Sequence, residues 1–188
     1  MLVFEALETS SAKMLKYIVS MLLLTGARKN EVLTTKWEDF DLERRIWTIE
    51  FTKAGKTRHV PLSDGVITLL SQVPKIENCD WVFANPDTQK PYKHIFYAWD
   101  VVRKRAGLEE LRIHDLRHSF ASFLVNGGRS LYEVQKLLGH TQIKTTQRYA
   151  HLSHDSLLSA ASTAMSHVPM AQSMPNKAEA LPLVEVDG

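Results

Sequence analysis

In the stretch His114, Asp115, Leu116, Arg117, His118, a histidine and an arginine stand three residues apart. On a helix that spacing projects His114 and Arg117 from one face, beside the apolar stripe of Leu116 and Phe120. Two such donors can grip one phosphate. A guanidinium fork matches phosphate oxygens, and an imidazole can donate to the same group or move a proton. Alone, the pair reads equally well as a surface ion-pair patch; Asp115 and His118 read as structural. Further residues of this kind are Arg28 after Thr25, Gly26 and Ala27, Lys53 and Lys56 flanking Ala54 and Gly55, His140 after Leu138 and Gly139, and Tyr149 after Arg148. Each has an ordinary explanation by itself. Arg28 with Glu31 reads as a helix-terminal ion pair, the lysines as a solvated turn, Gly139 with His140 as a cap, and Tyr149 as half-buried packing.

The elements that must position these residues follow from periodicity. Met14, Leu15, Ile18, Val19, Met21 and Leu22 recur at helical spacing, which predicts a nearly buried helix over Lys13 to Thr25 stopped by Gly26. A second short helix, Lys29 to Trp37, sets Arg28 on a rigid corner. Trp47, Ile49 and Phe51 alternate, as do Arg58, Val60 and Leu62, which predicts a hairpin with the basic turn Lys53 to Lys56. Helices are expected at Asp64 to Gln72 and Pro91 to Ala106, with a short strand at Trp81 to Phe83. Leu116, Phe120, Phe123 and Leu124 form a stripe ending at Asn126, Gly127 and Gly128; Ser130 with Glu133 opens the next helix as a capping box, and Gly139 closes it. Thr141 is expected to cap a helix carrying Tyr149, and Ser153 another running to about Ala164. The fold class is α+β, mainly helical, with a small antiparallel sheet.

Taken in order, an Arg after a buried helix, a Lys in a hairpin turn, a His-x-x-Arg helix, a Leu-Gly-His turn and a Tyr nine residues later resemble the tyrosine recombinase (phage integrase) family, from about Lys13 to about Ser156. The resemblance implies the catalytic-domain fold of that family and site-specific recombination of mobile DNA by cutting and rejoining strands. In it, Arg28 and Arg117 bind the non-bridging oxygens of the scissile phosphate. Tyr149 attacks phosphorus, His114 is the candidate base, Lys53 (with Lys56 as the alternative) protonates the departing 5′ oxygen, and His140 adds a hydrogen bond. No metal or nucleotide is needed, because the 3′-phosphotyrosine keeps the energy of the broken ester. The implied partners are double-stranded DNA and other recombinase subunits, with a tetramer on DNA and a monomer in isolation. Residues 1–167 are expected to form the catalytic domain and 168–188 a flexible tail. The N-terminal core-binding domain usual in the family is expected to be absent from this chain.

Composition sets the outer bounds. With 188 residues and 44% hydrophobic content, the chain suits one core. Cys79 is the only cysteine, which fits a reducing cytoplasm. Glu5 and Glu8 stand where an export signal needs basic residues, and no apolar run reaches the ~20 residues of a membrane-spanning helix. The net charge of +2 hides an asymmetry: residues 155–188 carry Asp155, Glu179, Glu185 and Asp187 against Lys177, so the excess of base lies in the body. Two other classes compete. His114 and His118 at i,i+4, with His140, His151 or His154, imitate a zinc helix, but Asp115 stands where a catalytic Glu is needed and Arg117 sets a fixed positive charge beside the cation. A non-catalytic DNA-binding module is the other, and nicking and relaxing DNA as a type IB topoisomerase does is a variant of the same chemistry.

Overall fold

Residues 2–50, 57–140 and 142–153 are described by the structure, a computed structural model. Helix α2 (Leu15–Thr25) is its axis, and Leu15, Ile18, Val19, Met21 and Leu22 are all buried in it. Gly26 ends it at φ 60°, where a side chain would be strained and would also run into Phe120 and Leu138. The chain turns there into helix α3 (Lys29–Leu33), which buries Val32 and Leu33. The expected second helix is therefore shorter than Lys29 to Trp37; a separate 3₁₀ turn follows at Trp37–Asp39.

Strands β1 (Phe40–Asp41), β2 (Ile46–Ile49) and β3 (Arg58–Pro61) form an antiparallel sheet in the order β1-β2-β3. Trp47 anchors it: its ring is buried, stacks on Phe40 at 5.5 Å, and its indole N–H donates to Thr35 Oγ1 at 2.8 Å. The antiparallel pairing of β2 with β3 is as expected, while Phe51 and the expected turn lie outside the described residues; β1 is an addition, too short to show an alternation. Lys53 and Lys56 lie outside the described residues. Helix α4 (Asp64–Gln72) has the predicted limits, with the Ser63 side chain accepting from Val66 N at its start.

Two expectations for the segment from Trp81 to Ala106 need correction. The strand at Trp81 to Phe83 is an isolated bridge from Trp81 to Lys36, and the strand pairing comes next, between β4 (Ala84–Asn85) and β5 (Lys90–Pro91). Pro91 thus ends a strand, and helix α5 runs over Phe96–Arg105 rather than from Pro91. Helix α1 (Leu2–Glu8), which packs on α2 and α5, was hidden because a seven-residue segment carries too little periodicity.

Helices α6 (Asp115–Asn126) and α7 (Leu131–Leu138) follow as predicted, the capping box at Ser130 and Glu133 included. Phe123 does not share the buried stripe, being 63% exposed; Ala121 and Val125 turn inward instead. The segment after α7 is two 3₁₀ turns, Ile143–Thr145 and Gln147–Ser153, in place of one capped α-helix. Thr141, the helix expected after Ser153 and the tail lie outside the described residues. Two buried clusters result. The larger joins α1 to α5, the sheet and Leu116; the smaller consists of Ala121, Val125, Val134, Leu138 and Tyr149, with Phe120, Leu124 and Leu131 packed against it.

Candidate active site

The site is built where the ends of α2 and α7 meet the start of α6. Arg117 lies on the first turns of α6 and is only 5% exposed. Its guanidinium donates to Gly26 O at 2.5 Å and Leu138 O at 2.6 Å. These carbonyls belong to the residue that caps α2 and to the last residue of α7, where backbone acceptors lack intrahelical donors. The side chain thus ties together the two chain reversals that precede Arg28 and His140. An arginine has five N–H donors, so its carbonyl contacts do not exhaust it.

Around Arg117 stand two more guanidinium groups. Arg28 donates from Nη1 to Glu31 Oε1 at 2.8 Å, while its backbone N–H donates to Glu31 Oε2 at 2.8 Å. Glu31 therefore caps α3 and aims the Arg28 side chain at once. Arg58, from β3, donates to the same Glu31 Oε2 at 2.9 Å and to Leu138 O at 2.5 Å. Gly139, at φ 65°, leaves the space that Arg58 fills, since a Cβ there would overlap its guanidinium. Three cations around one carboxylate leave a positive excess at the centre. Burial, then the charges of Arg28 and Arg58, push Arg117 down to about 10, still cationic at neutral pH.

The three histidines differ. His114 is exposed at the start of α6, its ring edge-on to His118 at 5.0 Å. His140 is half-buried, its Nδ1 2.9 Å from the hydroxyl of the fully buried Thr146. Burial and the Arg117 and Arg28 charges lower it to about 4, so it is neutral at pH 7. His118 Nδ1 lies 2.5 Å from the hydroxyl of Tyr149. The phenol is buried, at 6% exposure, and burial raises its pKa while Arg148 and Arg117 oppose the rise.

The structure thus brings Arg28, His114, Arg117, His140 and Tyr149 to one locality, and Lys53 falls outside the described residues. Sequence reasoning passed over Arg58, Glu31 and His118 as members of the group. A signal existed for two of them. Arg58 shares the inward face of Val60 by strand alternation, an unusual place for a charge, and His118 shares the helix face of Ala121 and Val125. Among the described residues, no group of three His, Cys, Asp or Glu side chains is arranged to hold a metal ion; His118 and His140 face Tyr149 and Thr146 instead. Beside the cluster, a cleft of about 650 Å³ opens along Arg28, His114, Lys36 and Thr48.

The sequence profile of the Phage integrase family matches residues 2–155. Tyrosine recombinase XerC of Staphylococcus aureus (strain bovine RF122 / ET3-1) is 32% identical over 166 residues, covering 82% of this chain and 55% of the relative. The catalytic domain of bacteriophage HP1 integrase superposes with a TM-score of 0.67 at 28% identity, over 86% of this chain and 88% of that one. XerH site-specific recombinase, in a post-cleavage complex with a palindromic difH substrate, gives 0.65 at 29% identity over 85% and 50%. The fold is that of tyrosine recombinase catalytic domains. The chain belongs to the phage integrase family, and it spans about half the length of the curated relatives it matches. No helix among the described residues is long and apolar enough to cross a membrane.

Proposed function

We propose that this chain carries out site-specific DNA recombination, cutting and rejoining duplex DNA through a covalent 3′-phosphotyrosyl link on Tyr149. The observation that carries the reading is the anchorage of Arg117 between Gly26 O and Leu138 O, which gathers Arg28, His114, His140 and Tyr149 around one buried cation. A fixed positive site of this kind stabilises charge that grows on phosphate oxygens, and it needs no reorganisation at the moment of reaction. In the forward step the Tyr149 O–H proton passes to a histidine of the site, the Tyr149 oxygen bonds to phosphorus and the bond to the 5′ oxygen breaks, Lys53, or Lys56 in its place, supplying the proton that leaves with that oxygen. Arg28 and Arg117 hold the non-bridging oxygens, and His114 and His140 add hydrogen bonds at the same phosphate. A 5′ hydroxyl reverses the step and rejoins the strand. The cleft beside Arg28 and His114 suits passage of a phosphodiester backbone.

The reading takes residues 1–167 as the catalytic domain, acting in the cytoplasm. Its partners are double-stranded DNA and further copies of the recombinase, as a tetramer on DNA and a monomer alone. By itself the monomer binds isolated DNA weakly and with strong salt dependence. The decisive experiment is a suicide DNA substrate nicked near the cleavage point, resolved on a denaturing gel. Wild type yields a covalent adduct and Tyr149→Phe yields none; an adduct from Tyr149→Phe refutes the assignment.

A further inference from the structure

A phenol with an ordinary pKa near 10 is a poor nucleophile at neutral pH unless its proton has somewhere to go. In this fold Tyr149 sits deeper than an ordinary surface phenol, and burial makes ionisation harder still. Its hydroxyl meets His118 Nδ1 at 2.5 Å, with ring centroids 6.0 Å apart and the planes inclined by 49°. The other two histidines are placed differently: His140 faces Thr146, and His114 lies edge-on to His118 at the exposed start of α6.

His118 is prepared for the role. Four residues beyond His114 it turns onto the face of Ala121 and Val125, and so into the small apolar cluster that also holds Tyr149. The groups around it are His114, Asp115 and Arg117 from its own helix, and Arg148 and Tyr149 from the facing 3₁₀ segment. Burial, followed by the His114 and Arg148 charges, keeps its imidazole neutral to lower pH than usual, so a ring nitrogen is open to a proton.

We propose that His118 is the proton acceptor for Tyr149 and the residue that holds the phenol before DNA arrives. This rests on Tyr149 being the nucleophile. The Tyr149 O–H bond breaks with its proton passing to His118 Nδ1; the freed electron pair forms the bond to phosphorus; the bond to the 5′ oxygen breaks, and that oxygen takes its proton from Lys53. Rejoining returns the His118 proton to the phenolate. His114 is thereby released to serve the phosphate with Arg117.

The test is single-turnover cleavage of the nicked suicide substrate against pH. It compares wild type, His118→Asn, His114→Asn and Tyr149→Phe, with thermal melts to show that each variant is folded. Asparagine keeps a hydrogen-bonding atom near Nδ1 but cannot take a proton. His118→Asn is expected to form adduct about 10²-fold more slowly and to lose an acid limb that His114→Asn retains. A His118→Asn rate and pH profile equal to wild type overturns the proposal. A second measurement leaves position 118 intact: with 3-fluorotyrosine at position 149, the acid limb keeps its midpoint, because it belongs to the imidazole. A midpoint that moves with the phenol overturns the proposal as well. Absence of any adduct from wild type, or its presence with Tyr149→Phe, would instead sink the functional reading beneath it.

Discussion

The two sides of the site are secured in different ways. On the arginine side, Arg28 and Arg58 share Glu31, Arg58 and Arg117 share Leu138 O, and Arg117 also donates to Gly26 O, so that α2 of the larger core is tied to α7 of the smaller cluster. On the tyrosine side, Tyr149 sits on a 3₁₀ turn, a geometry with poorer hydrogen bonds than an α-helix, within a cluster of five buried residues, and its hydroxyl rests on His118. The difference teaches a division of labour. On the proposed reading, Arg117, which waits for a phosphate, is tied to two backbone carbonyls, while the phenol of Tyr149, which forms and breaks a bond, rests on one side-chain partner.

That comparison breaks most sharply at Arg117. Arg117→Lys keeps a positive charge but cannot bridge two carbonyls with one planar fork. It is expected to lower adduct formation by about 10²–10³-fold and also to lower the urea midpoint, whereas Tyr149→Phe abolishes the adduct with little change in that midpoint. Equal stability of Arg117→Lys and wild type would show that the bridge carries no structural load.

Arg58→Ala comes next. It removes a guanidinium whose side chain is 9% exposed and leaves Glu31 with one partner fewer, so a loss of about 3 kcal/mol is expected in denaturant unfolding. A loss under about 0.5 kcal/mol would place Arg58 with ordinary surface ion pairs. Gly139→Ala tests the same packing from the other side. The αL backbone strain alone is about 1–2 kcal/mol, and the added methyl must displace Arg58. Combined with Arg58→Ala its effect is expected to shrink, and simple additivity in that double-mutant cycle would argue against the contact.

At neutral pH the smallest effect is expected at His140, which acts on stability only in acid. His140 is held at about 4 by burial and by the Arg117 and Arg28 charges, against an ordinary value of 6.5. As pH falls below about 6.5 the unfolded chain takes up this proton before the folded one does, so folding stability is lost progressively from there toward pH 4 and is unaffected above it. His140→Gln should flatten that part of the urea-midpoint profile; an unchanged slope would show that His140 is not the group responsible.

Much of this was legible in the linear chain. The buried helix ending at Gly26, the alternation of β2 and β3, the capping box at Ser130 and the stop at Gly139 are local features, written in side-chain period and in residues that alone tolerate a left-handed turn. The candidate residues Arg28, His114, Arg117, His140 and Tyr149 were picked out in the chain by the resemblance of their order to the tyrosine recombinase pattern, each standing beside one of those features. Strands of two residues, such as β1 and β4, carry no period and escaped. The burial of Phe123 was misjudged because a helix face is assigned by its neighbours in space, and Ala121 and Val125 met the partner helix first.

The sequence by itself determined which residues carry charge, protons and nucleophilic oxygen, and where the chain must reverse to present them. Only the tertiary structure decided who holds whom: that Arg117 bonds to Gly26 O, 91 positions before it, and to Leu138 O, 21 positions after it, is not a property of spacing along the chain. Arg58 joins Glu31, and Tyr149 joins His118 rather than His114, for the same reason. Those choices are made by close packing between segments distant in sequence, where a buried polar group must find whichever partner the fold brings within hydrogen-bond reach.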